Sequence, residues 1–180
     1  ALHSIGLGAM NLHGYLAQNG IAYESETARD FANVFFATVN YWSLVRSNEI
    51  AKERGETYSG YEGSAYWDAS YFEGYIDNPP EPQSDKVRQL FEGIHVPTAK
   101  DWAVLGENVA DNYGLYHAYR LAIAPNGSIS YVQSATASCM PVMERIEERT
   151  YGNSKTYYPM PGLSPATWFL YKEAYDMDMF

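Results

Sequence analysis

The sequence predicts an α/β fold. Helical segments lie between Ile5 and Tyr113, a strand-like stretch follows at His117–Ala124, and its apolar run Leu121–Ala124 stops at Pro125-Asn126-Gly127-Ser128. Helices feeding a strand that ends in a small-residue turn fit α/β rather than all-α. The 180 residues suffice for one domain with a sizeable hydrophobic core, and no internal repeat divides them.

The first helix is expected from about Ile5 to Gln18, where Leu7, Met10, Asn11, Tyr15 and Leu16 fall near helical spacing and Gly20 supplies a stop. Ser25 or Thr27 can cap a long second helix over Glu26–Arg54, with Glu26 and Asp30 near its positive end and Gly55 after it. Phe31, Val34, Phe35, Val39, Trp42, Val45 and Ile50 give this helix a broad apolar face. The Tyr-, Gly- and Ser-rich stretch Tyr58–Tyr75 reads as a loop and then a short helix around Ala65–Tyr75. Asn78-Pro-Pro-Glu-Pro82 reads as a surface loop.

Two further helices are expected at Asp85–Glu92 and Thr98–Tyr113. Thr98 caps the second, with Asp101 in reach of a capping box. After the strand His117–Ala124 and its turn, the chain reads as mostly extended or irregular through Pro161, with a last helix from about Ser164.

The turn is the most informative segment. Pro125 has no N–H and breaks the strand, Gly127 permits positive φ, and Asn126 or Ser128 can cap a following helix. Such a turn aims several backbone N–H groups at one point, an arrangement suited to an oxyanion or phosphate. Spacing alone gives an ordinary strand-to-helix loop.

Composition excludes several function classes. A net charge of −10 argues against nucleic acid or an anionic membrane as partner, and no apolar run approaches a transmembrane span. The single cysteine, Cys139, excludes an internal disulfide and a cysteine-built zinc cluster, so a reducing, cytoplasmic setting is expected. Neither end carries a boundary signal, and the chain reads as an interior piece of a longer protein.

Other motifs carry little chemistry. Gly6-Leu-Gly8 lacks the third glycine and the preceding strand of a dinucleotide fingerprint, and reads as close helix packing. His3, His13, His95 and His117 are scattered without ligand spacing, so no metal site is expected. Cys139 lies in an apolar context and reads as a buried, inert thiol. Most of the seventeen tyrosines, including Tyr157-Tyr158, read as structural.

Four segments taken together resemble the large, catalytic subunit of ribonucleotide reductases, most closely class Ib. They are Ile5–Ala17 (IGLGAMNLHGYLA), Ser47–Gly55 (SNEIAKERG), Pro125–Tyr131 (PNGSISY) and Tyr157–Pro161 (YYPMP), in the family's order and approximate spacing. The resemblance covers essentially the whole chain. It implies that residues 1–180 are one fragment of a ten-stranded α/β barrel domain, without separate domains.

The resemblance also implies roles. The matching turn in the family holds the substrate diphosphate, which carries that role onto Pro125, Asn126, Gly127, Ser128 and Ile129, with Ser130 nearby; Asn126 replaces the family's usual Thr. The family's chemistry uses a thiyl radical on a cysteine in an Asn-x-Cys-x-Glu loop, which abstracts the ribose 3′-hydrogen. The Glu and Asn handle protons, and two further cysteines supply reducing electrons. No Asn-x-Cys-x-Glu occurs here and Cys139 matches none of those cysteines, so no catalytic residue and no cofactor are expected in this segment. The family's radical-relay tyrosines lie downstream, so Tyr157-Tyr158 is not that pair.

The partners implied are a ribonucleoside diphosphate, the remaining segments of the large subunit, a radical-supplying, metal-containing small subunit, and a second large subunit in a homodimer. Two alternatives stay open, a stand-alone acidic α/β binding module and an inactive reductase remnant.

Overall fold

The computed structural model describes residues 1–144 and 146–159. Its helices are α1 Leu12–Gln18, α2 Glu26–Arg54, α3 Ser70–Asp77, α4 Asp85–Leu90, α5 Ala99–Asp111 and α6 Gly127–Val132. The antiparallel strands β1 Ile146–Tyr151 and β2 Ser154–Pro159 follow. The helix expected from Ser164 lies outside the described residues. The described residues divide into two compact units, one built from Ala1–Gly8 and Glu24–Ala122, the other from Ala9–Tyr23 and the described residues after Ala122.

The first unit is organised on α2, whose ends fall where the sequence puts them. Ser25 Oγ accepts from the Ala28 N–H at 3.1 Å, and Gly55 closes the helix at φ 66°. Its buried face differs from the expected one. Val34, Ala37, Thr38, Asn40, Leu44, Ser47 and Ala51 turn inward with Phe31, whereas Trp42 is 49% exposed. Small residues let neighbouring elements approach α2 closely. The larger Val39, Trp42 and Ile50 instead line an apolar groove of about 500 Å³ with Ile5 and Leu7.

The core of this unit joins Leu44, Tyr58, Tyr61, Phe72, Trp102, Leu105, Val109 and Leu115. Burying side chains such as Leu44, Phe72 and Leu115 contributes about 1.5–3 kcal/mol each. Tyr75 stacks on Trp102 with centroids 4.0 Å apart, and Gly106 admits Phe72 so closely that a Cβ there would lie 3.2 Å from its ring. α5 begins with the expected capping box, Thr98 and Asp101 each bonding the other's backbone N–H. Asp30 also serves beyond its own helix: its carboxylate accepts from the Gln83 and Ser84 N–H groups, tying down the start of α4.

Two extended segments of this unit run in parallel. Ala118 N–H donates to Leu2, Ile5 N–H to Tyr119, Leu7 N–H to Arg120, and Ala122 N–H back to Leu7, at 2.8–3.0 Å. Leu7 and Leu121 form the bridge between them. The helix expected from Ile5 therefore starts only at Leu12, because the polar backbone of Leu7 is spent on the neighbouring segment and the flanking glycines are poor helix formers. Gly6 does serve close packing, but between extended segments: a Cβ there would lie 3.2 Å from Ala122 Cβ. The end of the expected strand, residues 121–124, is extended yet exposed, with Leu121 37% and Ile123 50% exposed, whereas His117 and Arg120 before it are buried.

In the second unit the stretch read as extended or irregular contains α6 and a hairpin. β1 and β2 pair from Ile146↔Pro159 to Tyr151↔Ser154, and Gly152, at φ 61°, opens the two-residue turn between them. Asn11, placed by spacing inside the first helix, stands just before it in the left-handed region at φ 69°.

Candidate functional site

The turn Pro125–Ile129 leads directly into α6. Its left-handed residue is Asn126, at φ 45° and ψ 32°, while Gly127 is the first helical residue. This corrects the assignment of positive φ to Gly127; asparagine is among the few residues that adopt that conformation at low cost. Asn126 also makes no side-chain cap, contrary to the expectation for it. The helical ladder starts with the Ser130 N–H, which donates to the Asn126 carbonyl at 3.0 Å. The N–H groups of Gly127, Ser128 and Ile129 precede that ladder and have no acceptor within the helix.

The five predicted residues lie together at this corner. Pro125, Ser128 and Ile129 are exposed, and Asn126 and Gly127 are half-buried. Ser130 is different: it is buried, and its Oγ donates to the Gly127 carbonyl at 2.8 Å. Its hydroxyl tightens the turn from inside.

A cavity of about 540 Å³ opens beside the turn, bounded by Pro125, Gly127 and Ser130 on one side and by Thr136, Glu147 and Tyr158 on the other. None of its described lining residues is Lys or Arg. Glu144, Glu147 and Glu148 contribute carboxylates, two of which are engaged. Tyr131 donates its hydroxyl to Glu147, and Glu148 takes Lys155 Nζ at 2.8 Å and the Tyr157 hydroxyl at 3.1 Å. The bonds from Lys155 and Tyr157 hold the Glu148 carboxyl below the usual carboxylate range. An anion here would have to bind through backbone N–H groups.

Tyr157 and Tyr158 have structural partners, as the sequence suggested: Tyr157 donates to Glu148, and the ring of Tyr158 packs 4.5 Å from that of Tyr131. Cys139 is half-buried, and desolvation pushes its thiol up from the ordinary value. His13 Nδ1 accepts the Val142 N–H at 2.7 Å, and His95 Nε2 lies 3.1 Å from Asp101. Among the described residues no group of three or more His, Cys, Asp or Glu could hold a metal ion.

Sequence reasoning missed the residues that brace this corner. Asn11, Thr136, Tyr131 and Glu147 meet across separations of up to 125 residues, and no local pattern marks them.

The family model for the ribonucleotide reductase barrel domain matches residues 1–180. This chain belongs to the ribonucleotide reductase barrel-domain family. It is 67% identical, over its whole length, to the ribonucleoside-diphosphate reductase subunit alpha of Bacillus subtilis. The NrdEB subunit alpha of Bacillus phage SPbeta is 66% identical over 99% of the chain, and the subunit alpha of Mycoplasma pneumoniae 41% identical over 97%. The barrel-domain chain spans only 26%, 16% and 25% of the length of these three relatives. Among its described residues no helix is long and apolar enough to cross a membrane.

Proposed function

We propose that this chain is part of the barrel of a ribonucleoside-diphosphate reductase large subunit, and that Pro125, Asn126, Gly127, Ser128 and Ile129 hold the substrate diphosphate. The match of all 180 residues to the barrel-domain family carries the reading. The left-handed Asn126 supports the site, because it turns the backbone so that three N–H groups lead into α6 without internal acceptors. The parallel pairing of Leu7 with Leu121, with helices between them in sequence, supports a place in a larger α/β barrel of ten strands.

In this reading the complete enzyme replaces the 2′-hydroxyl of a ribonucleoside diphosphate by hydrogen, releasing water while a dithiol becomes a disulfide. The radical comes from a metal-containing small subunit, and the radical cysteine and its proton partners lie in other segments of the large subunit. The complete large subunit works in the cytoplasm as a homodimer. The residues here bind and orient. Backbone donors fix the diphosphate, and with it the distance of the ribose from the reacting groups. Neutral N–H groups suit this task in an acidic chain, since they attract a phosphate without a flexible cation.

A chimera tests the reading. The matching segment of the Bacillus subtilis subunit alpha is replaced by these 180 residues, and reduction of a ribonucleoside diphosphate is measured with the cognate small subunit. Turnover near the parental rate is expected. A folded, small-subunit-binding chimera without turnover would contradict the reading.

A further inference from the structure

The second unit contains a clasp that neither the family match nor the diphosphate reading assigns. Asn11 and Thr136 exchange two hydrogen bonds: Thr136 N–H donates to Asn11 Oδ1 at 3.0 Å, and Asn11 N–H donates to the Thr136 carbonyl at 2.9 Å. A third bond runs from the Gly14 N–H to Thr136 Oγ1 at 3.2 Å. Thr136 is thereby held on all of its polar atoms, and it is only 4% exposed. Asn11 does this from the left-handed region, at φ 69°, and leaves α1 without a side-chain cap.

The clasp lies at the far end of α6. After Val132 the chain reverses through Ser134, at φ 51°, and the Ala135 N–H donates to the Ser130 carbonyl at 2.8 Å. Ser130 in turn holds the Gly127 carbonyl through its hydroxyl. A six-residue helix has little stability of its own, and the outer side of α6 is bare, with Ile129 59% and Val132 84% exposed. Its direction must be set by what grips its ends. One end is the Pro125–Asn126 turn, and the other is Thr136, which lines the same cavity as Pro125 and Gly127.

From this geometry we infer that Asn11 is a positioning residue for the phosphate cradle: through Thr136 and Ser130 it fixes where the first N–H groups of α6 point. The inference rests on the diphosphate reading of the turn. Gly14 is part of the device. A Cβ at Gly14 would overlap Asn11 Oδ1, the mobile end of that side chain, so a larger residue there must swing the amide off Thr136.

That overlap gives the test its control. In a complete large subunit carrying this segment, Asn11→Ala is expected to raise KM for cytidine diphosphate about tenfold and leave kcat within about twofold, the size expected for one lost hydrogen bond. Gly14→Ala alone should produce the same shift. Gly14→Ala added to Asn11→Ala should cost nothing more, because no amide remains to displace. If Asn11→Ala fails to fold, Thr136→Val, which deletes only the Gly14 bond, replaces it and should raise KM about threefold.

Independent, additive effects of Asn11→Ala and Gly14→Ala, or an unchanged KM, would overturn the inference. Gly127→Val separates this outcome from failure of the reading beneath it. If Gly127→Val loses the diphosphate while the clasp variants keep it, the clasp is merely structural and the cradle stands. If none of them affects diphosphate binding, both fall.

Discussion

The hydroxyl of Ser130 donates to the carbonyl of Gly127 across one turn at 2.8 Å, inside the corner where α6 begins. This bond spends the one buried hydroxyl of the turn on the protein itself. Ser130→Ala should therefore lower stability by about 1 kcal/mol and, because Ser130 carries the grip of Asn11 to the turn, weaken diphosphate binding by no more than about tenfold. Urea unfolding and substrate binding measured on the same variant check both halves. A large affinity loss with unchanged stability would mean that the hydroxyl faces the ligand.

Asn126 makes a second prediction. At φ 45° a β-branched residue is strongly disfavoured, so Asn126→Val should destabilise the protein by about 1–2 kcal/mol and disorder the turn. Asn126→Gly should be tolerated within about 0.5 kcal/mol, since glycine adopts this conformation freely and no side-chain cap is lost. Equal stabilities for the Val and Gly variants would refute the left-handed assignment.

How far the sequence revealed this corner follows from the range of the interactions. α2 was legible because its cap Ser25 and its stop Gly55 act within one turn of the helix ends, and the Thr98–Asp101 capping box was legible for the same reason. The Pro-Asn-Gly turn was legible as a turn. Which residue takes positive φ was not, because asparagine and glycine both tolerate it. The buried face of α2 is not legible in its apolar pattern, because hydrophobic size does not say which side small residues open to close packing. Spacing places Asn11 inside a helix, since the partner that takes it out, Thr136, lies 125 residues away. The outward-facing run at Leu121–Ala124 carried the apolar pattern of a buried strand, and within these 180 residues it is exposed.

His117 supplies a pH prediction. Its Nδ1 lies 3.0 Å from Ser47 Oγ in a buried setting, and desolvation, then the nearby positive charges of Arg120 and His3, lower its pKa from 6.5. The folded state therefore prefers the neutral ring. The associated stability is fully present above the unfolded value near 6.5 and is lost as pH falls through the lower folded value. Urea midpoints should drop between pH 7.5 and pH 5, and His117→Asn should flatten that part of the curve. An unchanged pH slope in the variant would count against the assignment.

Cys139 should be chemically quiet. Burial raises its thiol pKa, which reduces the thiolate fraction at neutral pH. Alkylation of the native protein by iodoacetamide should be at least about tenfold slower than after unfolding in urea. In the complete enzyme Cys139→Ser should leave turnover within about twofold. A dead variant would assign the thiol a role in the chemistry that its surroundings do not support.

The central claim is that the backbone of Pro125–Ile129 holds a diphosphate. Calorimetric titration of a complete large subunit with cytidine diphosphate and with cytidine, for the parent and for Gly127→Val, tests it most directly. A valine at the first residue of α6 crowds the approach to the first N–H groups of the helix, so cytidine diphosphate should bind at least about tenfold more weakly while cytidine binding stays unchanged. Undiminished cytidine diphosphate affinity in a folded Gly127→Val subunit would contradict the account.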